Sequence, residues 1–160
     1  MRDIFVISDT HFGHANIIKY CSRPFSSVEE MNEQLIDNWN KVVKANDIVY
    51  HLGDVYFGEN GKVLERLKGR KRLILGNHDV GQDKYLQNNF QKIVVWRMFP
   101  EFGLLLTHVP VHESSLEIKQ LHNVHGHTHD KTLKDSRYIN VSVEQIDYTP
   151  ISIEEISAQR

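Results

Sequence analysis

The stretch IFVISDTH, residues 4–11, joins a short apolar run to polar side chains and decides the class of fold. The run IFVIS is rich in β-branched and aromatic residues, which is typical of a β-strand. It lacks an alternation of polar and apolar residues, so we expect both faces of this strand to be covered, as in α/β folds. Asp9 and His11 follow it directly. On an extended segment, side chains two positions apart point the same way, so these two are expected to share one ion.

Further short apolar runs predict the rest of the sheet system. The predicted strands span residues 47–52, 72–75, 92–99, 103–108 and 137–143. Residues 100–102 predict a hairpin connection between two of these strands, which makes the sheets mixed.

Helical patterns lie between these strands. The strongest covers 27–43, where apolar residues recur at three- and four-residue steps and Ser26 with Glu29 predicts a capping box. Shorter helices are predicted at 60–68, 83–90 and 153–158, the last with a capping box of Ser152 and Glu155. Strands that alternate with helices indicate an α/β layer fold.

The composition indicates one ordinary globular domain over residues 1–160. The net charge of −2 argues against a surface that coats long nucleic acid. The apolar run IFVI is too short for a signal peptide or a membrane span. Cys21 is the only cysteine, so an intrachain disulfide is excluded, a reducing cytoplasmic location is expected, and Cys21 is interpreted as a packing residue.

Ligand-type residues follow apolar runs in five separate segments of a chain that has ten histidines. Since the carboxyl ends of strands build sites in α/β sheets, these segments are expected to converge. Imidazole, carboxylate and carboxamide groups together suit Mn, Fe, Ni or Zn better than Mg or Ca. The five segments are Asp9-Thr10-His11, Gly53-Asp54, Gly76-Asn77-His78-Asp79, His108 and Gly126-His127-Thr128-His129.

This series resembles the calcineurin-like metallophosphoesterase superfamily over residues 9–129. The resemblance implies a two-sheet mixed β-sandwich flanked by helices, with a dinuclear site at the carboxyl ends of its strands. It also implies the following ligands: Asp9, His11 and His129 for the first ion, Asn77, His108 and His127 for the second, and Asp54 bridging both. His78 would be the catalytic histidine, and Asp79 would orient its ring.

The implied mechanism is metal-dependent hydrolysis of a phosphoester. Two divalent ions, with Mn favoured in vitro, would clamp the phosphoryl group and lower the pKa of a bridging water. The bridging hydroxide would attack phosphorus and His78 would act as general acid. No serine or cysteine nucleophile is required.

Several other residues receive separate interpretations. His14 is predicted to touch a metal ligand or the substrate, and Arg23 to clamp a phosphate. His51 is interpreted as a packing residue, whereas the default for His112, His122 and His125 is a surface or supporting position. The basic run 68–72 is interpreted as a solvated turn that does not bind substrate.

Three functions remain open from the sequence. The first is a phosphodiesterase for a small, nucleotide-like or cyclic diester. The second is a phosphomonoesterase or protein phosphatase, and the third is a non-catalytic interaction scaffold of the same fold. The expected partner is the small substrate, with no membrane and no long nucleic acid, whereas the oligomeric state stays open.

Overall fold

Two mixed β-sheets that pack face to face form the centre of the protein. A computed structural model describes residues 2–160. The first sheet has five strands in the order β4-β3-β2-β1-β9, and the second has four in the order β5-β6-β7-β8. Within them, β9 is antiparallel to β1 and β5 is antiparallel to β6, whereas the other neighbours are parallel. The predicted two-sheet α/β class is therefore confirmed.

The bounds of the elements are as follows. The strands are β1 (Ile4–Ile7), β2 (Ile48–His51), β3 (Arg70–Ile74), β4 (Lys92–Val94), β5 (Trp96–Phe99), β6 (Leu104–Thr107), β7 (His122–His125), β8 (Tyr138–Asn140) and β9 (Ile151–Ser152). The α-helices are α1 (Ala15–Tyr20), α2 (Val28–Val42), α3 (Lys84–Asn89), α4 (Ser114–Glu117) and α5 (Ile153–Ser157). Short 3-10 helices cover Gly61–Arg66, Pro100–Phe102 and Val143–Gln145.

Burial on both faces of the first sheet gives the fold its layers. On one face, Ile7, Val49 and Leu73 pack with the apolar stripe of α2, which includes the fully buried Trp39. Its other face packs on the second sheet, so that β1 is covered on both sides, as its uninterrupted apolar sequence predicts. The carboxyl ends of β1, β2 and β3 consequently meet at one edge, where their polar continuations emerge.

The predicted strand 92–99 is wrong as a single element. Its first half is β4 at the edge of the first sheet, and its second half is β5 at the edge of the second sheet. The chain crosses between the sheets at Val95. The hairpin that follows is confirmed, since Pro100–Phe102 form a 3-10 turn and Gly103 adopts a left-handed conformation before β6.

The helix predictions need three adjustments. Helix α2 is capped by Ser27, whose side chain accepts from the Glu30 amide, so the predicted pair Ser26 and Glu29 is displaced by one residue. The helix predicted at 60–68 is a 3-10 helix that ends at Arg66. Helices α1 and α4 and strands β7 and β9 have no counterpart among the predictions. By contrast, α3 and α5 begin after Asp83 and Ser152, each of which caps its helix as a side-chain acceptor.

The basic run 68–72 belongs largely to β3, not to a solvated turn. Lys71 is buried and donates to the Leu67 carbonyl over 2.8 Å. Arg72 donates to the Tyr50 hydroxyl over 2.7 Å. These charges are used inside the fold. Within residues 2–160, no helix is both long enough and apolar enough to cross a membrane.

Candidate metal centre

Two groups of ligand-type side chains meet at the shared edge of the sheets. In each group, one donor atom per residue lies within 4.8 Å of the donor atoms of the others. The first group is Asp9, His11 and His129, and the second group is Asp54, His108 and His127. All six residues are among the predicted ligands, and they come from loops that follow four strands of both sheets.

Asp54 lies between the two groups. Its Oδ2 is 3.6 Å from His11 Nε2 on one side and 3.5 Å from His108 Nε2 on the other. Its Oδ1 accepts from the backbone N–H of His78 over 3.0 Å, which fixes the carboxylate plane. One oxygen thus faces both groups, the position that a bridging ligand needs.

Asn77 completes the second group with its carboxamide oxygen. Asn77 Oδ1 is 2.8 Å from His108 Nε2 and 3.0 Å from His127 Nδ1. His108 Nδ1 lies 2.7 Å from the Leu52 carbonyl, which can only accept, so Nδ1 carries the ring hydrogen. In the neutral ring, Nε2 then presents a lone pair to a carbonyl-type oxygen. Two acceptors this close repel each other unless a cation binds both of them.

The first group presents the same chemistry in a drier setting. Asp9 Oδ2 accepts from Ser8 Oγ and the His127 amide over 2.6 and 2.8 Å, whereas its buried Oδ1 has no hydrogen-bond partner. His11 Nε2 is likewise buried without a partner, 3.7 Å from Asp9 Oδ1. Buried polar atoms of this kind are rarely left unsatisfied. The residues therefore fit a divalent cation at this position.

Electrostatics favour positive charge between these side chains. Burial alone would lower the pKa of His11, but Asp54 and Asp9 outweigh it and raise the pKa. Burial would also raise the pKa of Asp9, yet contacts with His11 and the neighbouring imidazoles hold it well below its usual range. Asp9 is therefore ionised at neutral pH and available to a metal ion.

His129 is oriented by a chain of buried charges that the sequence did not reveal. Its Nδ1 donates to Glu144 Oε1 over 3.0 Å, which leaves Nε2 to face Asp9 Oδ1 at 3.6 Å. A carboxylate behind a ligating imidazole fixes its tautomer and strengthens it as a donor to metal. Only the proximity of Glu144 to β8 in a folded chain brings it here, so no local sequence signal could have identified it.

Arg23 holds this arrangement from behind, which corrects its predicted role as a phosphate clamp. Its buried guanidinium donates to Glu144 Oε1 from Nε and Nη2 over 3.0 and 2.8 Å. It also donates to the backbone carbonyls of Thr10 and Asp9 over 2.9 and 2.7 Å. With its side chain at 0% exposure, it has no face for a substrate phosphate.

The backbone that carries the ligands is unusual. Five of the seven predicted ligands have positive φ, a conformation that non-glycine residues rarely adopt and that concentrates at functional sites. These are Asp9 (58°), His11 (51°), Asp54 (56°), His127 (69°) and His129 (50°). The expectation that Asp9 and His11 share an ion because they lie on an extended segment is wrong in its reason. They converge through two left-handed turns.

His78 lies at the solvent-facing side of the site. It is exposed, and its ring centroid is 5.1 Å from that of Phe57 and 6.1 Å from that of His11. His14 stacks on the same Phe57 at 4.2 Å, and its Nδ1 is 3.1 Å from His11 Nδ1. The predicted contact of His14 with a ligand-type residue is therefore present. Phe57, which the sequence analysis overlooked, supports both imidazoles.

Asp79 does not orient the His78 ring as predicted. Its Oδ2 accepts from the Asp54 and Gly76 amides, each over 2.8 Å, and its Oδ1 accepts from the Val55 amide over 3.0 Å. Both oxygens are committed to backbone donors. Asp79 consequently clamps the loop after β2 to the loop after β3, and through them it positions Asp54 and Asn77.

His51 is a fully buried link beneath the site. Gly53 N–H donates to its Nδ1 over 3.1 Å, so the ring hydrogen lies on Nε2 and points at Thr10 Oγ1, 2.9 Å away. The Thr10 hydroxyl in turn donates to the Val55 carbonyl over 2.7 Å. Burial lowers the pKa of His51 to about 3. The interpretation of His51 as a packing residue holds, with a defined hydrogen-bonding role in addition.

Comparisons with known proteins show the family of the chain. The family model of the calcineurin-like phosphoesterases matches residues 3–155. An uncharacterized protein of Methanocaldococcus jannaschii is 42% identical over 166 residues, which cover 96% of this chain and 89% of that protein. The gene 66 protein of Mycobacterium phage D29 is 27% identical over 90% of this chain and 89% of its own length.

Two solved structures share the fold. A protein of unknown function from Aquifex aeolicus superposes with a TM-score of 0.84 at 28% identity, and the match covers 100% of both chains. An archaeal phosphodiesterase superposes with a TM-score of 0.53 at 20% identity, over 88% of this chain and 82% of its own.

Together, the two-sheet fold and the paired ligand groups define a metal-dependent phosphoester hydrolase. The chain belongs to the calcineurin-like phosphoesterase family, as its resemblance to that superfamily predicts. The family implies divalent metal ions, and the two groups centred on Asp54 are the candidate ligands in this chain.

Proposed function

We propose that the protein is a dinuclear metal-dependent phosphodiesterase that hydrolyses small diesters, including nucleotide-like or cyclic ones. The observation that carries this proposal is the position of Asp54 Oδ2, within 3.6 Å of an imidazole nitrogen from each ligand group. Such an arrangement gives two ions one common ligand. A complete ligand set also argues against the alternative of a non-catalytic scaffold.

The metal ligands in this proposal divide as follows: Asp9, His11 and His129 for one ion, Asn77, His108 and His127 for the other, and Asp54 for both. When bound, a pair of divalent ions at such a site polarises a phosphoryl oxygen and makes water a stronger nucleophile near neutral pH. Manganese is the proposed metal for reconstitution, because carboxylate, carboxamide and imidazole groups can all bind it.

His78 is the proposed general acid. Its backbone is tied to the bridging carboxylate, so its position follows that of Asp54, whereas its ring remains accessible to solvent. A protonated imidazole there can deliver its proton to the departing ester oxygen. General acid help of this kind typically contributes about 10²–10⁴ in rate. It matters most for poor leaving groups such as alkoxides.

The form of the surface also favours small substrates. Two of the three basic residues of β3, Lys71 and Arg72, are engaged by hydrogen bonds within the fold, which leaves no row of free cations on this strand for phosphate contacts. Long duplex nucleic acid needs several such contacts for affinity.

A comparison of substrates tests the proposal. Bis-p-nitrophenyl phosphate, p-nitrophenyl phosphate, cyclic nucleotides and single-stranded oligonucleotides would be assayed side by side with Mn²⁺. We expect at least one small diester to be hydrolysed faster than the monoester. Faster turnover of the monoester than of every diester would replace the phosphodiesterase with a phosphomonoesterase or protein phosphatase. Metal binding without any hydrolysis would favour the scaffold.

A further inference from the structure

An apolar groove runs away from the second ligand group. It has a volume of about 510 Å³, within the range of small-molecule sites. Its lining residues are Leu75, Val95, Trp96, Met98, Leu105, Thr107, His108, Val109, Val111 and Ser115. His108 lines the groove and also belongs to the second ligand group, so the groove borders the metal centre.

Strand register forms the floor of the groove. Trp96 pairs with Thr107 and Met98 pairs with Leu105 across β5 and β6, which places all four side chains on one face of the second sheet. Helix α4 covers only part of this face, where its buried Leu116 packs against Leu105. The remainder is open, and strand β6 leads along it directly to His108.

The groove exposes large apolar side chains that could otherwise be buried. Trp96 is 56% exposed, Val95 66% and Val109 51%. Concentrated apolar exposure of this kind marks a binding surface more often than an ordinary one. Because these residues adjoin His108, a proposed ligand of the metal ion that binds the reacting phosphate, they are well placed to contact a group attached to that phosphate.

The chemistry of the lining residues limits the kind of group that the groove can bind. None of the lining residues carries a formal charge, and His108 is the one whose side chain can be protonated near neutral pH. The Thr107 hydroxyl is already satisfied, since it donates to the Val109 carbonyl over 2.6 Å and accepts from Asn123 Nδ2 over 2.9 Å. A second phosphate would find no cation among the lining residues, and the ammonium that touches the lining, Lys119 Nζ at 3.9 Å from Met98 Sδ, is a single exposed charge. This disfavours an oligonucleotide that continues along the groove. A flat, uncharged ring can stack on Trp96.

We propose that this groove binds an uncharged aromatic ester group of the substrate, such as an aryl ring or a nucleobase. The inference rests on the proposed phosphodiesterase function, because it identifies the substrate class of the same site. Trp96 is then a specificity-determining residue that contacts the ester group while the phosphate lies at the metal centre.

Two diesters with the same leaving group test this assignment. Methyl p-nitrophenyl phosphate and phenyl p-nitrophenyl phosphate both release p-nitrophenol, so a difference in KM reports on the group that remains. We expect the phenyl ester to have the lower KM. Trp96→Ala should raise that KM about tenfold, the equivalent of one aromatic stack, and should change the KM of the methyl ester less than twofold. Trp96→Phe should retain most of the preference.

Ile118→Ala is the matched control, because Ile118 is also exposed, at 88%, but lies outside the lining. Its KM values should equal those of the unmodified protein. An equal effect of Trp96→Ala on both esters, or no effect on either, would overturn the assignment while leaving the phosphodiesterase function intact. A dimer that dissociates in Trp96→Ala would also overturn it, since a second copy would then be the occupant.

A binding measurement keeps the inference testable if neither diester is hydrolysed, an outcome that would contradict the proposed function alone. The chain has two tryptophans, and Trp39 is fully buried, so fluorescence changes on adding a ligand report on Trp96. Diphenyl phosphate added to the Mn²⁺-loaded protein should change this emission, and dimethyl phosphate should not. Equal responses to both ligands would overturn the groove assignment.

Discussion

At the residue scale, adjacent polar side chains have separate tasks. His78 and Asp79 are adjacent, yet one faces solvent beside the ligand groups and the other binds three backbone amides. A substitution at either position would impair an enzyme of this kind, but for different reasons. The difference can be measured.

His78→Ala should retain metal and stability while losing about 10²-fold or more in turnover, because it removes only the proposed proton donor. Asp79→Asn should lower the free energy of unfolding by about 3 kcal/mol even without metal, because its amide group cannot accept from all three N–H donors. Urea unfolding in EDTA, combined with turnover in Mn²⁺, separates the two effects. Metal loss in His78→Ala, or full stability in Asp79→Asn, would contradict these roles.

Glu144 is the residue that orients the His129 imidazole in the first ligand group. Glu144→Gln should lower the affinity for the Mn²⁺ ion at the proposed His129 site by about 10–100-fold, because the ligand imidazole loses a charged partner. The other ion should be affected less. Equilibrium dialysis would report this as one weakened site of two, with the exposed Glu154→Gln as control. Unchanged affinity at both sites would remove Glu144 from the site.

At the element scale, the strands deliver the ligands and the loops between them decide the geometry. The loops after β2 and β3 approach so closely that Gly76 leaves no room for a side chain. A Cβ at that position would collide with Asp54 Oδ1 and with the Asp54 backbone nitrogen. At Gly81 a Cβ would meet only Leu75 Cδ1, at an ordinary 3.6 Å.

Gly76→Ala should therefore displace the Asp54 carboxylate, the proposed bridging ligand, lower the melting temperature and weaken binding of both ions at least tenfold. Gly81→Ala should have little effect on either property. Thermal unfolding with and without Mn²⁺ provides the measurement. Equal behaviour of the two variants would mean that the close approach of the two loops has no role in positioning Asp54.

The same scale shows what the sequence could and could not predict. Apolar runs identified β1, β2 and β6, because the burial of a strand shows in its local sequence. The convergence of their polar continuations follows from the rule that the carboxyl ends of strands build the sites of α/β sheets. The run 92–99 has strand-type apolar residues on both sides of Val95, so nothing local shows that Val95 separates two sheets. The left-handed conformations of Asp9 and His11 are imposed by tertiary contacts. Glu144 and Phe57 act across distant segments and carry no local signal.

At the scale of the whole molecule, a buried histidine couples the stability of the fold to pH. Nδ1 of His51 accepts from Gly53 N–H, so a proton on that nitrogen would break the link. Its pKa of about 3 in the folded protein lies well below the usual 6.5 of an unfolded chain. As pH falls below 6.5, the unfolded state binds this proton first, and stability declines toward pH 3.

His51 should thus account for about 2 kcal/mol of lost stability between pH 7 and pH 5. Urea unfolding in EDTA at the two pH values would show a smaller difference for His51→Gln than for the unmodified protein. His112→Gln, at an exposed position, is the control and should leave the difference unchanged. An equal pH dependence in all three proteins would show that His51 is protonated in the folded state.

The central claim is that two divalent ions share Asp54, and the number of ions per chain tests it most directly. Elemental analysis of protein reconstituted with Mn²⁺ and freed of excess metal should give two ions per chain. Asp54→Asn should weaken the binding of both ions, whereas Asp9→Asn should chiefly weaken the binding of one. A stoichiometry of one ion per chain in a fully active protein would contradict the account.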